Sequence, residues 1–371
     1  MSQEAVLAGE SRMAWSHELR RPIRAGSLAA LGTSDIEELN GYLAAGDPAR
    51  SREMLDYLHN LFRGMLESYI EWIQNWHSFV ATRQSVQDAQ TVANRTAATY
   101  RETVDRCVID DAAVEMVLRA VHSVCPDDAA EPPPASERGG ALMSAFNRAY
   151  GAALDALQRR HFEEAASLVG QYVSWGRQYH DALVAYVGTY ASSVTDTFGQ
   201  PFAEEGLEKT LAACTYYEPW WQFIEALKPA LRVLVLAEEF RGHFSGPGRN
   251  GSVEIVEEPD RYRLVFAPCG SGGALRRGSL GGGETATLGE PSPATWGRAG
   301  AVPAYCAHCA LNERTSVARL GYPAWVTEFD PDPMRPCGWT IFKDPALIPE
   351  HYFVRIGIQK PSSFSKEPES R

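Results

Sequence analysis

The chain reads as an α+β protein, with a mainly helical N-terminal region followed by a small, cysteine-rich α+β domain. Three observations predict this. Apolar residues recur in steps of three and four before residue 243, and apolar–polar alternation replaces that period after residue 252. Four of the seven cysteines, Cys269, Cys306, Cys309 and Cys337, fall in the last third of the chain. A length of 371 residues and a hydrophobic share of 44% provide for two or three domains and a sizeable core.

The first long element is marked by Leu55, Leu58, Phe62, Met65, Leu66, Tyr69, Ile73 and Trp76, a stripe at helical spacing. Pro48 after Asp47 fixes its start, because proline suits the first helical position and aspartate caps the free amides. A second stripe runs through Val173, Tyr179, Leu183, Tyr186, Val187, Tyr190 and Val194. A shift of 121 residues lays His59 on His180, Asn60 on Asp181, Phe62 on Leu183, Tyr69 on Tyr190 and Ile73 on Val194, which reads as an internal duplication of a helical unit. Shorter helices are expected over Phe202–Leu211 and Trp220–Leu236.

Beyond residue 252 the alternating stretch Ser252–Pro268 reads as two strands joined at Glu258-Pro259-Asp260. Gly321–Asp330 and Cys337–Lys343 read as further strands, with a helix between Cys306 and Leu320. Gly- and Pro-rich stretches at His243–Ser252 and Arg277–Pro293 read as loops. The expected organisation is a helical region at 1–125, a linker at 126–140, a second helical region at 141–243, a cysteine-rich metal-binding domain at 250–360 and a disordered tail at 361–371.

A formal charge of −12 argues against a nucleic-acid surface, since phosphate neutralisation needs a basic face. No apolar run approaches the ~18 residues of a membrane span. The N-terminus lacks a basic start followed by an apolar run, so no secretory leader is expected. An odd number of cysteines with no leader points to reduced thiols and a cytoplasmic location. The expected partner is a small-molecule ligand or substrate, and assembly into a homo-oligomer stays open.

Four thiolates with one close pair are what a tetrahedral soft-metal site needs, and Cys306-Ala-His-Cys309 supplies the pair. Cys269 and Cys337 would close the tetrahedron, with 36 residues between Cys269 and Cys306 and 27 between Cys309 and Cys337. Zinc is the expected metal, with an iron–sulfur cluster as the lesser alternative. His308 could replace one thiolate, and buried free thiols are the plain alternative to any metal. If all four cysteines bind, the site is closed and structural; if three bind, one position is open for chemistry.

Next to Cys269 stands a glycine-rich turn ending in Arg276 and Arg277, where successive backbone amides and a guanidinium could hold an anion. Arg276, Arg277 and Arg298 are candidates for binding a substrate carboxylate, and Tyr305 is a candidate pocket residue. His59 and His180 lie on the apolar stripes of their helices, either as packed core histidines or as a pair facing one pocket. With Asp181 and His308 they make up the candidate catalytic set.

The runs Pro-Cys-Gly-Ser-Gly-Gly-x-Leu-Arg-Arg at 268–277, Trp-x6-Pro-x-Tyr-Cys-x-His-Cys at 296–309, Leu-Gly-Tyr-Pro-x-Trp-Val at 320–326, Pro-Cys-x-Trp at 336–339 and Lys-Asp-Pro-x-x-Ile-Pro-Glu at 343–350 resemble a family of uncharacterised bacterial proteins. His180-Asp181 and Phe198-Gly199 resemble the helical element that precedes the cysteine domain in that family. The likeness covers roughly 150–355, with Asn60 departing from it in the first half, and implies no activity. In layout alone, a strand ending in Cys, a Cys-x-x-Cys and a final Cys-aromatic strand are similar to small-molecule-binding domains of the vinyl-reductase and aminothiazoline-carboxylate-hydrolase type. The expectation is a zinc-binding bacterial metalloenzyme acting on a small, carboxylate-bearing organic substrate by hydrolysis or group transfer. The alternative is a small-molecule-binding, sensor or partner protein with a purely structural zinc.

Overall fold

A computed structural model describes residues 6–17, 19–104, 109–125, 139–266, 268–278, 287–300, 302–332 and 334–364. The architecture is mainly helical α+β. A short hairpin, β1 (Arg12–Ser16) and β2 (Arg21–Ala25), opens the chain and is followed by α1 (Leu28–Gly32) and α2 (Asp35–Ala44). Then comes α3 (Pro48–Arg83), whose Asp47 side chain accepts from the amides of Ala49 and Arg50, as the Asp-Pro signal predicts. Helices α4 (Val86–Val104), α5 (Asp111–Val124) and α6 (Gly140–Gln158) lead to α7 (Phe162–Phe198), and α8 (Gln200–Ala212) follows it.

Helices α3 and α7 pack against each other, with α4, α5, α6 and α8 around them. Residues Tyr179–Ala191 of α7 are enclosed on every side, so this helix is the axis of the bundle. The two long helices begin 114 residues apart and end 115 apart, not 121. Their N-terminal turns match: Gly46 and Arg160 both have positive φ, and the amides of Asp47 and His161 reach back to the carbonyls of Tyr42 and Ala156. The sequence offset differs from the structural one by seven or six residues, close to two helical turns. A shift of that size keeps the same face of the helix inward.

The expected helix over Trp220–Leu236 is instead three pieces: α9 (Tyr217–Ala226), a 3₁₀ turn at Pro229–Arg232 and α10 (Val233–Gly242). Pro229 is the cause. It cannot donate to the preceding turn, and it forces Lys228 to an extended ψ of 148°.

The four-stranded sheet is antiparallel, in the order β3 (Glu254–Glu257), β4 (Arg261–Val265), β8 (Gly338–Phe342), β7 (Val326–Glu328). The remaining elements are α11 (Gly272–Arg276), the pair β5 (Thr287–Leu288) and β6 (Val302–Pro303), α12 (Ala307–Leu320) and α13 (Glu350–Val354). Helix α10 packs on β4, and α12 packs on α8, so bundle and sheet share one continuous core. The expected linker falls mostly outside the described residues, as do much of the 277–293 loop and residues 365–371. Ser362–Phe364 form a 3₁₀ turn with the Phe364 ring against Tyr322. Among the described residues, no helix is long and apolar enough to cross a membrane.

Candidate functional site

A cavity of about 400 Å³ opens where the bundle meets the sheet. Helix α3 contributes Tyr69 and Trp72 to its wall, α9 contributes Trp220, and the sheet contributes Trp339. Aromatic rings dominate, as in pockets that take small organic molecules. All four C-terminal cysteines reach this one cavity. Cys269 follows β4, Cys306 caps α12, Cys309 lies in its first turn, and Cys337 precedes β8.

The turn bearing Cys269 is pressed against the end of α10. A Cβ on Gly270 would stand 1.7 Å from the His243 carbonyl oxygen, so only glycine fits there. Gly270 N–H donates to Ser245 Oγ at 3.1 Å, and Gly246 N–H donates to the Pro268 carbonyl at 2.9 Å. Gly272 leaves the room that Cys306 occupies, since a Cβ there would come within 2.5 Å of its Sγ.

The four cysteines at the cavity are not joined by disulfides. Burial pushes the Cys306 and Cys309 thiols well up, and the neighbouring cysteines push them further. Burial and then Cys269 raise Cys337 to about 11. The thiols are thus close enough to oppose one another's ionisation, which is the donor chemistry a soft cation would require. Among the described residues, no three His, Cys, Asp or Glu side chains stand together in the arrangement of a formed metal site.

His308 donates from Nδ1 to the Tyr305 carbonyl at 2.6 Å, which leaves Nε2 bare at 3.5 Å from Cys309 Sγ. Tyr305 is buried, and its hydroxyl shares a hydrogen bond with Tyr69 at 2.7 Å. The three arginine candidates separate. Arg276 lines the cavity, with its guanidinium 4.7 Å over the Phe329 ring and donating to the Pro331 carbonyl. Arg277 clamps the Cys269 carbonyl at 3.0 Å, and Arg298 is exposed away from the cavity wall.

The two candidate histidines also separate. His59 stacks on Tyr150 at 3.9 Å, lies near Phe146 and bonds the Tyr172 hydroxyl at 3.1 Å. His180, only 1% exposed, bonds Asp181 at 2.9 Å and His243 at 3.0 Å. Neither lines the cavity.

Four residues of the site were not expected from the sequence: Tyr69 in this role, Glu239, His243 and Arg249. His243 continues α10 by one residue, its amide donating to the Glu239 carbonyl, so the two side chains share a face one turn apart. The spacing Glu239-x-x-x-His243 was the available signal. Next to them on the cavity wall, Glu238 is held by Arg21 and by the Tyr57 hydroxyl at 2.6 Å. Arg241 is buried on Asp35, which also binds Arg24, so α10 is anchored to the N-terminal segment. Among the described residues, Glu239 forms no ion pair of this kind with arginine; Arg21 acts on it from a distance and Trp220 lies beside it. Its side chain is 31% exposed, into the cavity, with His243 Nε2 at 3.8 Å. Burial, followed by the neighbouring Glu238 charge, raises its pKa to about 7. A carboxyl group raised in this way and open to a cavity can give or take a proton there.

No protein-family model, curated protein or solved structure matches this chain.

Proposed function

We propose that the chain is a zinc-binding metalloenzyme that transforms a small, carboxylate-bearing organic molecule by hydrolysis or group transfer. The resemblance to an uncharacterised bacterial family supports a bacterial reading, and the unbridged thiols at the cavity suit a reducing cytoplasm. One observation supports the enzymatic reading above others: thiols from three separate stretches of chain open onto the same aromatic cavity as the Glu239–His243 pair. Cys269, Cys306, Cys309 and Cys337 would hold the metal, with His308 Nε2 as a substitute donor. Zinc supplies Lewis acidity where a coordination position is open and a scaffold where four thiolates close it. Arg276 would take the substrate carboxylate, the aromatic walls its apolar body, and Glu239 with His243 would move the proton.

The second reading is a small-molecule-binding or sensor protein with a structural zinc. It is favoured by the cysteine count, since four thiolates suffice to fill a tetrahedron. Metal analysis of the purified full chain tests both readings. About one zinc per chain is expected under either. A metal-free, folded protein with four titratable thiols in the cavity sinks both. Single Cys→Ser variants then separate them. If one variant stays folded and keeps zinc, an open, working position is supported. If all four substitutions cost both metal and fold, the structural reading is supported.

A further inference from the structure

The cavity's proton-carrying pair is tied to a buried chain of hydrogen bonds behind it. Arg249 grips both carboxylate oxygens of Asp181 and donates to the Gly270 carbonyl at 2.8 Å. Asp181 Oδ1 lies 2.9 Å from His180 Nδ1, and His180 Nε2 lies 3.0 Å from His243 Nδ1. His243 Nε2 ends the chain, facing Glu239 across 3.8 Å.

The proton positions follow from charge. Burial pushes Asp181 up, but hydrogen bonds from His180 and Arg249 outweigh it and hold the group below the usual range, as a carboxylate. Burial keeps both imidazoles neutral, with the Asp181 contact opposing it at His180 and His180, His308 and Arg249 reinforcing it at His243. Facing a carboxylate, neutral His180 must donate from Nδ1, which leaves its Nε2 bare. Two bare nitrogens 3.0 Å apart would repel, so His243 carries its proton on Nδ1. The Tyr69 hydroxyl oxygen, 3.3 Å from the same nitrogen, accepts a lesser share and directs its own proton to Tyr305. The bare atom of His243 is therefore Nε2, on the cavity side.

We infer that Arg249, Asp181 and His180 are positioning residues that hold His243 as the Nδ1–H tautomer and so make its Nε2 the cavity's general base, with Glu239 as the partner acid. A substrate X–H gives its proton to Nε2 and keeps the electron pair on X. The imidazolium charge is offset through Nδ1–H by His180 and the Asp181 carboxylate. The electron pair on X forms the new bond to the transferred group, the bond from that group to its leaving atom breaks, and the Glu239 carboxyl gives its proton to that atom and regains one from the His243 imidazolium across 3.8 Å. Glu239 is faced by Glu238 and Arg21 as well as by His243, with Trp220 and Tyr216 beside it. The substrate class is thus one that loses a proton at one atom and gains one at another, as hydrolysis and acyl or group transfer require. This deepens the enzymatic reading and rests on it for a role in turnover. Its test does not, because it needs neither metal nor substrate.

The test is imidazole ¹⁵N–¹H correlation spectroscopy on the full chain labelled at histidine, near pH 7.5, with the His243 signals assigned by their loss in His243→Gln. A pyrrole-type Nδ1 and a pyridine-type Nε2 are expected at His243, and the same at His180. A protonated Nε2 at His243, or a doubly protonated ring, overturns the inference. Asp181→Asn keeps the shape but presents an amide donor to the chain. His243 is then expected to show a mixture of tautomers while the circular dichroism spectrum stays native. An unchanged single tautomer in a folded Asp181→Asn protein overturns the positioning role. If that variant does not fold, the wild-type tautomer decides alone. Absent zinc with the expected tautomer would sink the metal reading and leave this one standing; bound zinc with the opposite tautomer would do the reverse.

Discussion

His59 on α3 and His180 on α7 occupy similar-looking places on helices of 36 and 37 residues, yet one is a packed ring and the other a link in a charged chain. The residue that follows each makes the difference. Asn60 is exposed and uncharged, and the Asp56 carboxylate near His59 is taken up by the Tyr150 hydroxyl, so His59 behaves as a flat polar ring among Tyr150, Phe146 and Tyr172. Asp181 is enclosed because the middle of α7 is surrounded, and a buried carboxylate requires partners. His180 and Arg249 provide them, and through His180 the carboxylate reaches His243. A single side chain in an enclosed position thus converts a core histidine into part of a site.

The largest test of that contrast is Asp181→Ala against Asn60→Ala. Removing one member of a buried, hydrogen-bonded pair strands the Arg249 charge, and a loss of about 3–5 kcal/mol in urea unfolding is expected. Asn60→Ala, at an exposed position, should stay within about 0.5 kcal/mol. Equal losses in the two variants would show that Asp181 is no more than a surface-like polar residue and would remove the distinction.

A smaller effect comes from replacing each histidine by phenylalanine. His59→Phe keeps the stack on Tyr150 and gives up one hydrogen bond to Tyr172, for about 1 kcal/mol. His180→Phe takes the donor from Asp181 and the acceptor from His243 Nδ1, and each buried group left unpaired costs about 1–3 kcal/mol. Thermal melts of the two variants should therefore separate clearly, with His180→Phe the lower. The reverse order would mean that the aromatic stack, and not the charged chain, is the more demanding environment.

The contrast also marks how far the sequence could be read. The cap at Asp47-Pro48, both long helices, the β3–β4 turn and the helix after Cys306 were legible, because each rests on local chemistry or on a long periodic run. Convergence of the four cysteines on one cavity agrees with their clustering, whereas His180 was paired in the sequence with His59 and not, as a hydrogen-bond partner, with Asp181. The register between the two long helices was not legible, since a slip of about two turns preserves every inward face. Nor was the role of Glu239 and His243. Their spacing is visible, but His243 stands at the edge of a stretch that reads as a Gly/Pro loop, and Glu239 differs from Glu238 in lacking the Arg21 and Tyr57 contacts that hold Glu238. Arg249 reaches Asp181 across 68 residues, a pairing that no local pattern announces.

The finest test is the pH dependence of the His59 environment. Burial, followed by the Arg63 charge, lowers the His59 pKa from 6.5 to about 4. The unfolded chain therefore binds a proton at this residue before the folded one does, and stability rises with pH through that window. The contribution is present above pH 6.5 and is lost as acid approaches pH 4. Glu239 acts in the opposite sense: its pKa is raised from 4.5 to about 7, so its contribution is present below 4.5 and fades as the pH rises through 7. Taking the difference between wild type and His59→Phe cancels Glu239 and the other titrating groups. Between about pH 7.5 and 5.5 the wild type should lose about 1 kcal/mol more than the variant. A difference that does not change over this range would mean that His59 accepts a proton in the folded chain as readily as in the unfolded one. The aromatic stack would then be open to water, and the two histidine environments would differ in degree alone.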